Sequence, residues 1–567
     1  MSLMDLRHID HYFKDFISRI APDSSEQLLK VMSKLSKAIS ENNSCIELSD
    51  GTAGNEIIEE LKSLKLSGPA GAPISVQGRK IYLSRYFHYE QFIAERLISF
   101  NRESLVFDRD QIRSAINQDF NSSHEPDWQK IATLQALTRQ LTIITGGPGT
   151  GKTRTIAAIT GILQTALKHS LRIELAAPTG KAAIRLSQAI TEHKGTNTDV
   201  KTIHRLLGIS RDGSRFKYND NYRLPCDVVI IDEASMIGLT LMYRLLSALP
   251  DACRLILVGD PDQLPSVEVG NVLADLCKQQ TGYNNSFRDC VKQILGIDLS
   301  FNKTSNPLDN SICRLRTGHR FSPHVGIGSL ANHIKERNPS LPQTNSSTSI
   351  HPTSDLLHGD KNTLLVAEFK DYLEHLKNGE TDPRILAETF EEYRLLTPVR
   401  DAPLGVEDIN QTLERELESL GLKTSLDTFY HGRPILITRN DYTQNLYNGD
   451  VGICVSINDL KELLVAFVDK PGKTRLIPTS RLPPHETCFA MTAHKAQGSE
   501  FTRVTLILPA DPSENTRALL SQELIYTAIT RARATVKIFC SASIWKHCME
   551  NRGTRVSGLS DFFTHNV

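Results

Sequence analysis

Leu141-Thr-Ile-Ile-Thr-Gly-Gly-Pro-Gly-Thr-Gly-Lys-Thr153 leaves this chain few folds to adopt. The run reads as an apolar strand, a glycine-rich turn and the start of a helix. Gly146 and Gly151 bracket a G-x-x-x-x-G-K-[ST] pattern. The turn comprises Gly146, Gly147, Pro148, Gly149, Thr150 and Gly151, and its glycines let backbone N–H groups converge on phosphate oxygens. The helix behind it adds free N–H groups and a positive dipole end. Lys152 is expected to reach the β- and γ-phosphates, and Thr153 to ligate Mg²⁺. The competing reading is a glycine turn without function, and a strand before with a helix after argues against it. A nucleoside triphosphate site in a parallel α/β domain is the expectation.

Downstream, Val228-Val-Ile-Ile-Asp232-Glu233 is an apolar run ending in two carboxylates. In a doubly wound sheet a buried strand delivers such acids at its C-terminal edge, beside the P-loop. Asp232 is expected to hold Mg²⁺ and Glu233 to polarise the attacking water. Gly259-Asp-Pro-Asp-Gln263 places a glutamine at another strand tip, where a γ-phosphate contact and a plain Asp-Pro turn are equally good readings. Arg320 and Arg531 could each put a guanidinium on developing phosphoryl charge, although a lone arginine is more often a solvated surface residue.

At 567 residues the chain should form roughly three or four domains. Residues 1–115 read as a mainly helical N-terminal domain without a nucleotide signature. Its aromatic segment Ile81–Leu97 reads better as a core-facing helix than as a ligand site, with a docking face for another subunit as the further alternative, and the domain is expected to dock a partner. Residues 116–344 read as a first α/β domain, with the polar, aromatic stretch 210–223 as a projecting hairpin. Residues 345–567 read as a second α/β domain, entered through the linker Asn345–Ser349. Close-spaced strands at about 425–482 suggest a small inserted β-barrel. The stretch 280–312 is poorly patterned and suggests no role.

Lysine plus arginine and aspartate plus glutamate both number 65, so no global basic field advertises nucleic acid, and only a local groove would serve. Ten cysteines include no C-x-x-C, which suits reduced thiols rather than a zinc ribbon. The charged N-terminus and the lack of any run near ~18 apolar residues predict no signal peptide and no membrane span. A cytoplasmic protein is expected.

One ordered series joins these pieces: Trp128-Gln129-Lys130, the P-loop, Ala177-Pro-Thr-Gly-Lys-Ala182, Thr202-Ile-His-Arg205, Asp232-Glu233, Gly259–Gln263, His319-Arg320, Thr492-Ala-His-Lys-Ala-Gln-Gly-Ser-Glu500 and Tyr526-Thr-Ala-Ile-Thr-Arg531. The series resembles the superfamily 1 DNA helicases over about three-quarters of the chain. Within them it is similar to the RecD family, the α subunits of RecBCD-type exodeoxyribonuclease V. The segment Tyr82-Leu-Ser-Arg-Tyr-Phe-His-Tyr-Glu90 adds to that likeness.

The resemblance implies an α/β fold of two RecA-like P-loop motor domains, with a helical N-terminal domain and a small SH3-like β-barrel insertion. It implies ATP and Mg²⁺ as cofactors, with Gln129 reading adenine and Glu500 near the ribose and the coupling region. Gln263 becomes the γ-phosphate sensor, and Arg320 and Arg531 the arginine fingers. Pro178, Thr179, Thr202, His204, Thr492 and His494 fall in motifs that grip single-stranded DNA, and 210–223 falls where relatives carry a strand-separating pin. The continuation Leu264-Pro-Ser-Val-Glu-Val-Gly270 lacks the aromatic of the 3′-to-5′ branch, which resembles the 5′-to-3′ branch. Implied partners are single-stranded DNA, duplex ends, and RecB-like and RecC-like subunits in a heterotrimer, with exonuclease activity only in the complex and a role in double-strand break repair and recombination. A stand-alone RecD-like helicase and a non-unwinding ATPase scaffold are the alternatives.

Overall fold

Three strands too short for alternation to register in the sequence organise the N-terminal region. They are β1 (Cys45–Glu47), β2 (Ile74–Gln77) and β3 (Lys80–Leu83), in the antiparallel order β1-β3-β2. In this computed structural model the described residues are 7–564, apart from 69–70, 104–108, 121–125, 166–170, 195–197, 211–214, 280, 300–305, 317, 319–324, 359–360, 425, 442, 458–461, 471–472, 552 and 554. Helices His8–Ile20, Glu26–Ser40 and Thr52–Ser63 cover the small sheet through Ile17, Leu28, Leu35, Leu61 and Ile81. The helix Ser84–Phe100 then leaves this core and buries Tyr86, Ile93, Leu97 and Phe100 in the next one. Tyr89 stacks on Tyr243 with ring centroids 4.4 Å apart, so the aromatic segment is core-facing, as its spacing suggested.

Short β-branched and apolar runs form a six-stranded sheet: β4 (Leu141–Thr145), β5 (Ile173–Ala177), β6 (Val200–Thr202), β7 (Val228–Ile231), β8 (Arg254–Gly259) and β9 (Ile312–Arg314). The order β6-β5-β7-β8-β4-β9 is parallel throughout, with an apolar core on each face. Part of the unpatterned stretch 280–312 is an amphipathic helix, Asn285–Leu295. Asn284 caps it, and it buries Phe287, Val291 and Ile294 in the second of these cores.

A second parallel sheet contains β10 (Thr348–His351) and β11 (Tyr393–Thr397). Between them and its remaining strands lie β12 (Pro434–Ile437), β13 (Val451–Ile457), β14 (Glu462–Lys470), β15 (Lys473–Pro478) and β16 (His485–Thr487). These five form a separate antiparallel sheet, order β15-β14-β13-β12-β16, around Ile435, Cys454, Val465 and Phe467. With β17 (Ala490–Thr492), β18 (Phe501–Ile507) and β19 (Ala532–Phe539), the second parallel sheet runs β10-β19-β18-β11-β17.

Two boundaries differ from the sequence reading. The helix Gly326–Lys335 buries Ile327, Leu330 and Ile334 in the core of the second sheet, so the crossing falls ahead of 326 rather than at 345. Asn345–Thr348 is a tight turn leading into β10 rather than a linker. At the other end, Leu559 and Phe563 pack in the core of the six-stranded sheet with helix Ser84–Phe100, so the last residues leave the second domain altogether. Of the stretch 210–223, residues 211–214 lie outside the described residues. Around them Ile209 bridges Phe216 in antiparallel fashion, and Tyr218 stacks on Tyr222 at 5.4 Å.

Candidate active site between the two parallel sheets

The P-loop joins β4 to helix Lys152–Thr165, and its glycines are dictated by space. A side chain on Gly146 would place its Cβ 2.6 Å from Thr150 Oγ1 and 3.0 Å from Leu315 Cβ. Gly149 and Gly151 hold φ of 74° and 83°, the left-handed region where glycine is unstrained. Lys152 Nζ donates to the carbonyl oxygens of Gly146 at 2.7 Å and Gly147 at 3.1 Å, so its ammonium lies over the loop. Gln129 is buried, and its Nε2 donates to Thr150 O at 3.0 Å, bracing the turn from behind.

A cavity of about 330 Å³ opens here. Pro148, Gly149, Gly151, Lys152 and Thr153 form one wall, and Asp232, Glu233 and Gln263 from the ends of β7 and β8 form the floor. Gly498, Glu500 and Arg531 of the second α/β domain close the far side. Glu233 adopts φ 52°, an uncommon backbone for a non-glycine residue, which costs of order 1–3 kcal/mol and turns the chain off the strand end. Its N–H donates to Asp232 Oδ1 at 2.9 Å. Burial pushes the Asp232 carboxyl above the ordinary range and the charge of Glu233 adds to it, while Lys152 and Arg185 pull the other way. Two carboxyls this close form a site short of positive charge, and with the Thr153 hydroxyl on the same cavity they make an oxygen donor set that suits Mg²⁺.

The cleft is bridged by side chains of both α/β domains. Arg531, 3% exposed, donates from Nη2 to Gln263 Oε1 at 3.0 Å and from Nε to Thr527 O at 3.1 Å. Gln263 Nε2 and Tyr526 Oη each donate to Asp260 Oδ2 at 3.1 Å. Leu264 N donates to Thr527 Oγ1 at 2.7 Å, and Gln497 Nε2 to Leu264 O at 2.8 Å. The glutamine that sequence alone left open between sensor and turn is therefore buried against the arginine. Arg185, which sequence reasoning passed over, also lines the cavity and forms an ion pair with Glu500 across the cleft. It sits four residues after Lys181 on helix Gly180–Lys194, one turn beyond the quoted motif.

A family model described as an AAA domain matches residues 129–269, and one described as a UvrD-like helicase C-terminal domain matches 487–538. RecBCD enzyme subunit RecD of Haemophilus influenzae is 33% identical over 537 residues, 86% of this chain and 81% of that protein. The subunit of the same name from Mycolicibacterium smegmatis is 35% identical over 521 residues, covering 88% and 85%. The chain belongs to the RecD family. A further relative, the ATP-dependent RecD2 DNA helicase of Deinococcus radiodurans, is 30% identical over 411 residues, 72% of this chain and 48% of that protein. Among solved structures, a Pif1 helicase from Bacteroides with ADP-AlF3 and single-stranded DNA has a TM-score of 0.39 at 18% identity, over 75% of this chain and 94% of that one.

The residues that the sequence assigned to DNA-gripping motifs stand at the ends of parallel strands and in the turns that follow. Pro178 and Thr179 follow β5, Thr202 ends β6, and Thr492 ends β17. Each threonine hydroxyl also caps a turn, accepting from Ala182 N, Arg205 N and Lys495 N respectively. His204 and His494 are half-buried, and burial lowers the pKa of both, which favours neutral imidazoles. Gly498, with φ 73°, approaches so closely that a Cβ there would lie 3.4 Å from Ala182 Cβ and 3.6 Å from Thr179 Oγ1. Arg320 lies outside the described residues.

Proposed function

We propose that this chain is the RecD-type motor of a RecBCD-type helicase–nuclease, moving 5′ to 3′ along single-stranded DNA at duplex ends. As a member of the RecD family it is an ATP-dependent DNA helicase. The contact that carries the mechanism is Arg531 on Gln263, because it joins a candidate γ-phosphate sensor in one motor domain to a candidate arginine finger in the other. ATP in the cavity would meet P-loop N–H groups and Lys152 on one side and Arg531 on the other, with Glu233 placed to orient water. Arg320 joins Arg531 as a finger by the family resemblance, as Gln129 takes the adenine and Glu500 the ribose side. Mg²⁺ held by Thr153 and Asp232 would draw charge from the β- and γ-phosphate oxygens. Loss of the γ-phosphate removes what Gln263 and Arg531 share. Motion of the two domains then shifts the grip of Pro178, Thr179, Thr202 and His204 relative to Thr492 and His494.

Several features favour a subunit over a stand-alone motor. Two RecD subunits match at 33% and 35% identity over 86% and 88% of this chain, the RecD2 helicase at 30% over 72%. On helix His8–Ile20, Ile9, Tyr12, Phe16 and Ile20 are exposed by 60%, 70%, 49% and 47%, an apolar stripe at helical spacing suited to a protein partner. RecB-like and RecC-like subunits are the proposed partners. Exonuclease activity and the role in break repair and recombination follow from that assembly, which would work in the cytoplasm. Among the described residues no helix is long and apolar enough to cross a membrane. The antiparallel sheet β12–β16 is assigned as the SH3-like insertion and 210–223 as the pin. The loop after Gln263 has no aromatic residue for base stacking, which supports 5′-to-3′ polarity.

The test is strand displacement with ATP on duplexes carrying a 5′ or a 3′ single-stranded tail. Unwinding from the 5′ tail alone is expected, and unwinding from the 3′ tail alone would overturn the polarity. DNA-stimulated ATPase without displacement from either tail, even with RecB-like and RecC-like subunits added, would favour the scaffold alternative.

A further inference from the structure

The loop Leu264–Gly270 follows Gln263 directly and is held by three separate parts of the chain. Its start is bonded to Thr527 and Gln497 of the second motor domain. Its end is tied to the N-terminal region, where Gly270 N donates to Asn42 O at 3.0 Å. Between these ends it leaves Val267 73% exposed. The guanidinium of Arg555 grips the remaining backbone. It donates to Glu268 O at 2.5 Å and Gly270 O at 2.7 Å, and also to Ser266 O. A fork of fixed donors on three carbonyls sets the path of a loop more firmly than one apolar contact does.

The residues after Arg555 run away from the second motor domain and lock onto the other two. Val556 N donates to Asn43 Oδ1 at 2.7 Å, and Ser44 N donates to Val556 O at 3.0 Å. Ser557 Oγ and Gly558 N donate to the buried Glu90 carboxylate at 2.8 and 3.1 Å. A side chain at Gly558 would overlap the Tyr82 hydroxyl, so only glycine lets the segment lie this close. Asp561 pairs with Lys80 at 2.7 Å, and Leu559 and Phe563 are buried in the core shared by helix Ser84–Phe100 and the first motor sheet. The segment is a strap from the second motor domain to the N-terminal region, and Arg555, just ahead of it, holds the loop behind the γ-phosphate sensor.

We propose that Arg555 is a positioning residue for the coupling of DNA binding to ATP hydrolysis, held in register by the strap Val556–Phe563. The inference rests on the motor reading above. The loop that follows Gln263 is bonded at its start to Thr527 and Gln497 of the second motor domain, so its path can relay movement of that domain to the sensor. Gln497, whose Nε2 donates to Leu264 O at 2.8 Å, also donates its backbone N–H to His494 O at 3.1 Å, so the loop that Arg555 holds is bonded to the turn that carries His494. Arg555 thus grips a loop that joins the sensor to a turn of the DNA motifs.

The experiment measures steady-state ATP turnover of the full chain with and without oligothymidylate, alongside the thermal midpoint. Arg555→Ala is expected to lower DNA-stimulated turnover about tenfold and raise the DNA concentration for half-stimulation, leaving the unstimulated rate and the KM for ATP near their original values. Arg555→Lys, which keeps the charge without the fork, should recover part of the stimulation. Phe563→Ala loosens the far end of the strap and should reproduce the uncoupling in milder form. Proportional loss of stimulated and unstimulated rates, or unaltered stimulation in Arg555→Ala, would overturn the proposal. Absence of DNA stimulation in the unmodified protein would instead overturn the motor reading, and this inference with it.

Discussion

Gln263 and Arg531 stand 268 residues apart in sequence and share a 3.0 Å hydrogen bond between the two motor domains. Neither side chain has a local reason to be buried, and each makes the other's burial tolerable. The guanidinium satisfies the amide oxygen. The amide oxygen, Thr527 O and Ser499 O receive guanidinium N–H groups that burial would otherwise leave costly. Burial lowers the Arg531 pKa, against the opposing charges of Glu233 and Glu500, but it remains a cation at any working pH.

Arg531→Ala should therefore impair hydrolysis far more than nucleotide binding. An arginine finger contributes about a thousandfold or more to turnover. The expected result is a loss of kcat of that order with ATP affinity, read by fluorescent-analogue titration, changed only a few-fold. Retained turnover would remove Arg531 from the role.

Lys152→Gln should abolish hydrolysis while sparing the fold. Its ammonium is half-buried and, among the described residues, bonded to two carbonyls of a single loop, so the thermal midpoint should stay within a few degrees. A variant that folds and still turns over ATP would contradict the phosphate-binding assignment.

Arg185 and Glu500 pair across the cleft from helix Gly180–Lys194 to the loop before β18. Arg185 also lies near enough to Asp232 and Glu233 for both acids to raise its pKa, with Glu500 the larger influence and burial opposing all three. Arg185→Ala and Glu500→Ala should each weaken ATP binding, and the double variant should lose less than the sum, with a coupling of about 1 kcal/mol. Strict additivity would show that the pair does not span the working cleft.

The sequence exposed this site unevenly, and the unevenness has a physical cause. Lys152 and Thr153 open the helix after the P-loop, and Asp232 and Glu233 follow the end of β7, residue types and spacing that the phosphate-binding pattern specifies, so the motifs pointed to them directly, whereas Gln263 stayed open between sensor and turn. Arg185 contacts a carboxylate and Arg555 three backbone carbonyls, all distant in sequence, and such contacts leave no periodicity. The three- and four-residue strands β1–β3 are too short for alternation to announce them. The boundary before Gly326 was hidden for another reason. Helix Gly326–Lys335 has an ordinary amphipathic pattern, and nothing local says which of two sheets its apolar face will meet.

Glu90 offers a last test, because its ionisation opposes the strap that it anchors. Ser44 Oγ, Ser557 Oγ and Gly558 N all donate to its carboxylate, which favours the charged form. Burial outweighs them, and with the charge of Asp275 it pushes the Glu90 pKa up from 4.5 to about 7. A carboxyl raised in the folded state keeps a proton that the unfolded chain has released. Its contribution to stability is therefore full below pH 4.5 and is lost as pH rises through 7, a swing of about 3 kcal/mol. Glu90→Gln removes that dependence. The thermal midpoint of the variant minus that of the unmodified protein should become steadily more positive from pH 5 to pH 8, then level off. A difference that stays flat, or falls, across that window would mean that the carboxylate is already charged in the folded chain, with the three donors outweighing burial.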